Sequence, residues 1–117
     1  MWAMVPYIFD ASTPRDVVAA DLAIRLTSPV TNDGYFAQLQ GIRAWSGSYD
    51  RLAGLTMPTL VIHGETDQLV PPENGRIVAK AIPGSRLLMI PHASHIFFTD
   101  QFEASSQALL SFLDRPA

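Results

Sequence analysis

The sequence predicts an α/β fold whose parallel sheet these residues leave incomplete. Two short apolar runs, at residues 58–63 and 86–90, have the length and the lack of polar alternation that are typical of strands buried on both faces. Residues 73–82 between them have helical spacing. A strand–helix–strand connection of this length makes the strands parallel, and two short strands do not form a stable sheet without further neighbours.

The composition is that of a small globular protein. The 117 residues are 48% hydrophobic and only 16% charged, which excludes a disordered chain. Together with two Trp and six Phe, this low charge predicts more exposed apolar surface than a free-standing domain of this size usually has. The net charge is −3 and no Lys/Arg cluster occurs, so we expect no nucleic-acid partner.

The absence of cysteine removes disulfides, a thiolate nucleophile and any Cys-based zinc site from consideration. The opening stretch, MWAMVPYIFDAS, is apolar, but it has no basic region and is interrupted by Pro6. It is too short for a membrane span and lacks the layout of a signal peptide. We therefore expect a cytoplasmic protein with no membrane partner.

Residues 1–50 predict two short amphipathic helices joined by turns rich in Pro, Gly and Asn. The first is expected to begin at Pro14, with Thr13 as its N-cap, and to end at residues 28–29. The second is expected to begin after residues 32–34 and to end at residues 44–48. The apolar faces consist of Val18, Leu22 and Leu26 in the first helix and Phe36, Leu39 and Ile42 in the second.

Two more helices are predicted in the second half of the chain. The first covers residues 73–82, and Pro83 and Gly84 end it. The second opens at Asp100, because Asp100 and Glu103 have the D-x-x-E spacing of a capping box. The residues that repeat along one face of this last helix are Phe102, Ser106, Leu109 and Leu113.

Both predicted strands lead into loops that carry acids or histidines. The first strand is followed by HGETD, residues 63–67, and the second by PHASH, residues 91–95. In parallel α/β sheets, catalytic groups collect at the carboxyl ends of the strands, so both loops open on the same edge. An acid beside a histidine forms the orienting half of a nucleophile–histidine–acid triad, in which the histidine works as general base and then as general acid.

Three stretches of the chain resemble the α/β-hydrolase family. PTLVIHGETDQLVP resembles its strand and acid loop, PGSRLLMIPHASHIFF its last strand and histidine loop, and FEASSQALLSFL its terminal helix. The resemblance implies that Asp67 is the catalytic acid and His95 the catalytic histidine, 28 residues later and in the family's order. Residues 51–117 then correspond to a C-terminal β-α-β-α portion of the core, and residues 1–50 to a helical cap-like segment.

Two departures from the family's pattern bear on the site. No G-x-S-x-G occurs in the 117 residues, and the oxyanion-hole loop of the family is missing as well. Gly usually precedes the catalytic histidine, whereas this chain has Ser94 there, with His92 two positions earlier. We expect these side chains to crowd the histidine loop.

Structural explanations stay open beside the functional ones. Asp67 can be a turn residue, and His95 can be a packed, hydrogen-bonded histidine. His63 and Glu65 are expected to be structural or solvated. His92 and His95 have the spacing of a metal pair but no acid cluster beside them, and the resemblance implies neither metal nor organic cofactor. Four apolar residues could line a substrate pocket or simply pack: Met4, Phe9, Phe36 and Trp45.

Two functions of different classes follow from these observations. As a hydrolase, the chain would be the C-terminal fragment of a serine-type enzyme for an ester, lactone or related small apolar substrate. It would be inactive until a missing N-terminal part supplied the nucleophile. As a non-catalytic module, it would be a truncated protein that self-associates as a homodimer or larger assembly through its exposed sheet edge.

Overall fold

The computed structural model describes residues 2–28 and 30–114. In chain order the elements are α1 (Val5–Ile8), α2 (Arg15–Leu26), α3 (Asn32–Ala44), β1 (Leu60–Gly64), α4 (Pro72–Ala81), β2 (Arg86–Ile90), α5 (Phe97–Asp100) and α6 (Phe102–Leu113), with short 3₁₀ helices at Trp2–Met4 and Tyr49–Gly54. Two parallel strands with flanking helices confirm the predicted α/β class. Within these residues, no helix combines the length and the apolar content that a membrane crossing requires.

β1 and β2 form a two-stranded parallel sheet. Leu60 pairs with Arg86 at one end of the sheet, and Gly64 pairs with Ile90 at the other. β2 has the predicted bounds, whereas β1 begins two residues later than predicted, since Pro58 has no N–H to donate to a strand ladder. Because the strands are parallel, the loops that follow Gly64 and Ile90 leave the sheet at the same edge.

The main hydrophobic cluster joins the N-terminal helices to the residue that follows His95. Its buried members are Phe9, Val18, Leu22 and Ile96, which are between 3% and 7% exposed. Val18 and Leu22 confirm the predicted apolar face of α2, and Leu26 at the end of this helix lies outside the cluster. Residues from the segment 5–22 therefore pack directly against the histidine loop, which we define as residues 91–96.

Two helices present their predicted apolar residues to solvent. α3 buries none of its residues, and Ile42 is 63% exposed. The face that the sequence singles out on α6 is also exposed, with Phe102 at 71% and Leu113 at 65%. Small residues of α6, Ala104 and Ala108, line the groove against β2 instead. The spacing of residues along α6 therefore does not show which of its faces lies against β2.

Three helix starts differ from the predicted ones, and in two of these cases a polar side chain has a distant partner instead. Thr13 does not cap α2, because its Oγ1 donates to Asp100 Oδ1 at 2.6 Å. Asp100 does not cap α6 either, because its carboxylate accepts hydrogen bonds from the N-terminal segment and the histidine loop. α3 begins earlier than predicted, since Thr31 Oγ1 accepts from Gly34 N and caps it.

Candidate active site

The acid loop, residues 65–71, and the histidine loop are joined by backbone hydrogen bonds. Glu65 N donates to Ile90 O at 3.0 Å, and Thr66 N donates to Ala93 O at 2.9 Å. Gly64 makes this close approach possible, because a Cβ atom there would lie 2.3 Å from the carbonyl oxygens of Ala93 and Ser94. The end of β1 thus positions the acid loop directly against the histidine loop.

Asp67 is buried at the start of the turn that the acid loop makes. Its side chain is 4% exposed, and its Oδ1 accepts hydrogen bonds from Leu69 N and Val70 N, each at 2.9 Å. Its Oδ2 lies 3.1 Å from His95 Nδ1. The carboxylate therefore serves as a turn residue and as the partner of a histidine at the same time, and the structure brings the two predicted site residues together.

His95 presents one ring nitrogen to the acid, and within residues 2–28 and 30–114 its other ring nitrogen has no hydrogen-bond partner. Because a carboxylate only accepts, the contact with Asp67 Oδ2 places the hydrogen on Nδ1 of His95. Nε2 then carries the lone pair in the neutral ring. The side chain is 36% exposed, so a group approaching from outside these loops can reach the ring. This is the tautomer that a general base of the triad type requires.

His63 belongs to β1, and its ring packs against α4 close to Asp67. Its side chain is 13% exposed, its Nδ1 lies 3.0 Å from Gly64 O, and its Nε2 lies 3.9 Å from Asp67 Oδ2. A Cβ on Gly75 of α4 would come within 2.9 Å of the His63 ring. These contacts make His63 a packed residue at the strand end and leave His95 as the exposed partner of Asp67.

Ser94 fits the histidine loop without crowding it. It is 1% exposed, its N–H donates to Asp100 Oδ2 at 2.7 Å, and its Oγ lies 3.4 Å from Tyr7 O. The unusual backbone is at His92, with φ of 54°, where Gln101 Nε2 donates to the His92 carbonyl. The expected crowding by Ser94 is therefore not found, because its side chain is buried and its hydroxyl group has the Tyr7 carbonyl as a partner.

Two acids at the site, Asp10 and Asp100, were not foreseen from the sequence. Asp10 bonds to Thr66 across 56 residues, Asp100 bonds to Thr13 across 87, and the two acids are bonded to each other across 90; no local spacing signals such links. Burial raises the pKa of Asp10, but hydrogen bonds from Ser12 and Thr66 and the nearby His92 outweigh burial and hold that pKa below its usual value of 3.8. Asp10 is thus a charged hydrogen-bond acceptor beside the acid loop.

Two cavities lie near the acid–histidine pair. A small one of about 150 Å³ touches both Asp67 and His95, with Val70 and Phe97 among its walls. A cleft of about 730 Å³ opens on the other side of the acid loop and is lined mainly by the N-terminal residues, with Phe9 in its wall. Trp45 lines a separate cavity, so the four candidate pocket residues do not gather at one place. Over residues 2–28 and 30–114, no three acids or histidines converge as a metal site would require.

A family-wide sequence model described as alpha/beta hydrolase fold matches residues 18–102, well over half of the chain. This chain belongs to the α/β-hydrolase family. The matched region contains both Asp67 and His95, and it confirms the family resemblance. With its two strands, the chain is a partial α/β-hydrolase fold.

Known relatives of this α/β-hydrolase chain are longer than it is. It is 34% identical over 94 residues to a 2-hydroxy-6-oxo-6-(2'-aminophenyl)hexa-2,4-dienoic acid hydrolase of Metapseudomonas resinovorans, covering 78% of this chain and 32% of that protein. It is 31% identical over 115 residues to a poly(3-hydroxyalkanoate) depolymerase of Ectopseudomonas oleovorans, covering 96% and 39% respectively. A solved N-acyl homoserine lactone degrading enzyme superposes with a TM-score of 0.74 at 25% identity, covering 94% and 45%. The chain thus spans less than half the length of each, and further relatives are esterases and haloperoxidases.

Proposed function

We propose that this chain supplies the acid and the histidine of a serine-type α/β-hydrolase, with Asp67 as the catalytic acid and His95 as the catalytic histidine. The observation that carries the proposal is the 3.1 Å contact between Asp67 Oδ2 and His95 Nδ1. It is supported by the burial of the acid, whose side chain is 4% exposed, and by the exposure of the histidine, whose side chain is 36% exposed.

In this mechanism His95 Nε2 takes the proton from the nucleophile's hydroxyl group as that oxygen attacks the carbonyl carbon of the substrate. The imidazolium that forms is stabilised by the Asp67 carboxylate through Nδ1–H. His95 then gives the proton to the leaving group, and in the second half-reaction it activates the water that releases the acyl group. Asp67 keeps its charge throughout and fixes the orientation of the ring.

The nucleophile and the oxyanion-hole donors of this proposal come from outside these 117 residues. No G-x-S-x-G occurs in the sequence. Ser94 and Ser105 are buried at 1% and 5% exposure, and both hydroxyl groups donate to backbone carbonyls or lie against them. Ser46 and Ser48 line a cavity that Asp67 and His95 do not line. We therefore expect the chain alone to be inactive.

The proposed substrate is an ester, a lactone or a related small apolar molecule. Two kinds of support exist for this class. The small cavity beside His95 has mostly apolar walls, including Ile62, Val70 and Phe97. Among the relatives, one is named as an N-acyl homoserine lactone degrading enzyme and one as a poly(3-hydroxyalkanoate) depolymerase, and both names support an ester-type substrate.

The test is a chimera in which this chain replaces the matching part of the lactone-degrading relative, which supplies the nucleophile. We expect the chimera to hydrolyse p-nitrophenyl butyrate and the separate chain to remain at background. Asp67→Asn should lower kcat by about 10⁴-fold and His95→Ala by about 10⁶-fold, as loss of the acid or the histidine of a triad does in other hydrolases.

Glu65→Gln is the matched control for Asp67→Asn, because Glu65 is an exposed acid of the same loop. It should leave turnover unchanged. Full activity of the His95→Ala chimera, or turnover by the separate chain that His95→Ala abolishes, would contradict the proposal.

A second candidate function is that of a non-catalytic module that self-associates. Within the described residues each strand pairs only with the other, so each has an outer edge without a strand partner. Apolar side chains lie at or near the sheet and on the outer helices, with Leu87 at 38% and Leu113 at 65% exposure. Such edges and patches favour association between copies.

Light scattering of the purified chain tests this second candidate. We expect a dimer or larger assembly, which Leu87→Lys should weaken because a charge on an edge strand opposes strand pairing. Ile24→Lys, at an exposed position of α2, is the control that adds the same charge away from the sheet. A monodisperse monomer with cooperative melting over a wide concentration range would contradict self-association.

A further inference from the structure

A hydrogen-bonded chain of side chains connects the acid loop to the N-terminal segment. Thr66, the residue immediately before Asp67, donates through Oγ1 to Asp10 Oδ2 at 2.6 Å. Asp10 Oδ1 is held in turn by Ser12, whose N–H and Oγ donate to it at 2.9 Å and 2.6 Å. Asp10 is therefore fixed in place by its own turn and contacts the acid loop from there.

The same segment is hydrogen-bonded to Asp100, which in turn holds the histidine loop. Asp10 N donates to Asp100 Oδ2 at 3.1 Å, and Thr13 Oγ1 donates to Asp100 Oδ1 at 2.6 Å. Ser94, the residue immediately before His95, donates its N–H to Asp100 Oδ2 at 2.7 Å. The neighbour of the proposed acid and the neighbour of the proposed histidine are thus connected through two carboxylates.

We propose that Asp10 and Asp100 are positioning residues, which set His95 relative to Asp67 and make the N-terminal segment part of the active site. Neither carboxylate touches the reacting atoms. The expected effect of these two residues on turnover rests on the proposed function. Their effect on the position of the His95 ring does not, and it can be measured on the chain itself.

The carboxylate of Asp100 accepts hydrogen bonds from three donors. Two of them, Asp10 N–H and Ser94 N–H, are backbone groups, and the third is the Thr13 hydroxyl. An asparagine can keep both backbone bonds only with its single oxygen in the Oδ2 position, and the Thr13 hydroxyl must then accept from the NH₂ group. The charge-assisted bonds to the two N–H groups become neutral and weaker. Ser94 is 1% exposed, which leaves its N–H with no water to replace a lost partner.

The hydrogen bonds of Asp10 and Asp100 fix the positions of side chains, whereas the fold itself depends mainly on other contacts. The backbone bond from Thr66 N to Ala93 O at 2.9 Å joins the two loops independently of both carboxylates. The hydrophobic cluster of Phe9, Val18, Leu22 and Ile96 likewise persists without them. We therefore expect Asp100→Asn to shift the histidine loop in a folded chain rather than to unfold it.

The experiment has two arms, and the first needs no catalysis. In ¹⁵N NMR of the full chain, Asp100→Asn should shift or broaden the His95 ring resonances and the Ser94 amide resonance. Asp50→Asn, an exposed acid whose replacement removes the same charge, should leave both unchanged. In the chimera with the lactone-degrading relative, Asp100→Asn should lower kcat by up to about 100-fold with KM within twofold, because small misplacements of catalytic groups cost rate rather than binding.

Unchanged His95 resonances in a folded Asp100→Asn chain would overturn the positioning role. If that variant does not fold, Thr66→Val replaces it, since this near-isosteric change removes the hydroxyl that donates to Asp10 and leaves Asp100 intact. Thr66→Val should move the Asp67 and His95 resonances in the same way, and unchanged resonances there would also overturn the role. An inactive unsubstituted chimera would contradict the proposed function alone, and the NMR arm would still decide the positioning role.

Discussion

Asp67 uses its two carboxylate oxygens for two different tasks. Oδ1 accepts from Leu69 N and Val70 N and so fixes the turn of the acid loop, while Oδ2 faces His95. Three donors satisfy a carboxylate that is nearly fully buried, which removes most of the free-energy cost of taking it out of water. The turn and the pairing are therefore two parts of one arrangement, because the turn holds Asp67 in the orientation that meets the ring.

Gly64 is the residue on which the approach of the two loops depends. Gly64→Ala would place a Cβ 2.3 Å from two backbone oxygens, and backbone atoms cannot move aside as a flexible side chain does. We expect the variant to lose about 1–3 kcal/mol of unfolding free energy, the usual cost of overpacking, or more. Denaturant unfolding measures this loss.

Gly41→Ala provides the control for Gly64→Ala. A Cβ on Gly41, inside α3, meets nothing within 4 Å. Because alanine is the better helix former, we expect this substitution to be neutral or stabilising by up to about 1 kcal/mol. Equal unfolding free energies for Gly64→Ala and the unsubstituted chain would show that the loops do not approach as described.

At the scale of single residues, the sequence predicts the Asp67–His95 pair but not the long-range hydrogen bonds of Asp100 beside it. Asp67 and His95 stand at the ends of two recognisable strands, so a rule about parallel sheets is enough to bring them to one edge. Asp100 has the local spacing of a capping box, which directs the prediction to the wrong partner. Its real partners lie up to 90 residues away, and only the folded chain reveals them.

Among the elements, α2 connects the N-terminal half to the site. Val18 and Leu22 on its inner face pack in the cluster that contains Ile96, the residue after His95. On the same helix, Asp21 Oδ2 accepts from Thr99 Oγ1 of α5 at 2.7 Å and is also bonded to Arg25. Apolar and polar contacts thus dock α2 beside the histidine loop.

Leu22→Ala tests this docking. Leu22 is 3% exposed, so truncation leaves a cavity in the cluster, and we expect a loss of about 2–5 kcal/mol in the free energy of unfolding. Leu26→Ala on the same helix should change it by about 0.5 kcal/mol or less, because Leu26 is 67% exposed. Similar losses for the two variants in denaturant unfolding would contradict the docking of α2 through Leu22.

The bounds of the strands and helices are predicted from the sequence more accurately than the faces through which they pack. β1, β2 and α4 lie within two residues of their predicted positions, because each is a short apolar or periodic run bounded by Pro or Gly. The face of α6 could not be predicted in this way. Phe102 and Leu113, two of the residues that repeat along this helix, are exposed, whereas the groove against β2 is lined by small residues of the helix.

At the scale of the whole molecule, two carboxylates connect distant parts of the chain and give it a dependence on acid. Hydrogen bonding to Arg25 is the main cause that lowers the pKa of Asp21 below 3.8; burial opposes it, and the bond from Thr99 adds to it. The pKa of Asp10 is also lowered, because its hydrogen bonds outweigh burial. A group whose pKa is lower when folded stabilises the fold fully above its unfolded pKa, and this contribution is lost as pH falls through the folded pKa.

We therefore expect the contribution of Asp10 and Asp21 to the unfolding free energy to be constant from neutral pH down to near 3.8 and to decline below it. Denaturant unfolding at a series of pH values measures this. Asp10→Asn and Asp21→Asn should each flatten the decline below pH 3.8, whereas Asp50→Asn, which replaces an exposed acid, should leave the profile unchanged. An unfolding free energy that falls below pH 3.8 as steeply in the Asp10→Asn and Asp21→Asn chains as in the unsubstituted chain would contradict these contributions.

The central claim about the molecule is that its two loops hold Asp67 and His95 as a preformed pair. The most direct measurement is ¹⁵N NMR of the histidine rings of the chain, with the His95 signals assigned through His95→Gln. We expect the hydrogen of the neutral His95 ring on Nδ1, with a downfield proton resonance that Asp67→Asn removes. An Nε2–H tautomer, or His95 signals that Asp67→Asn leaves unchanged, would contradict the pair.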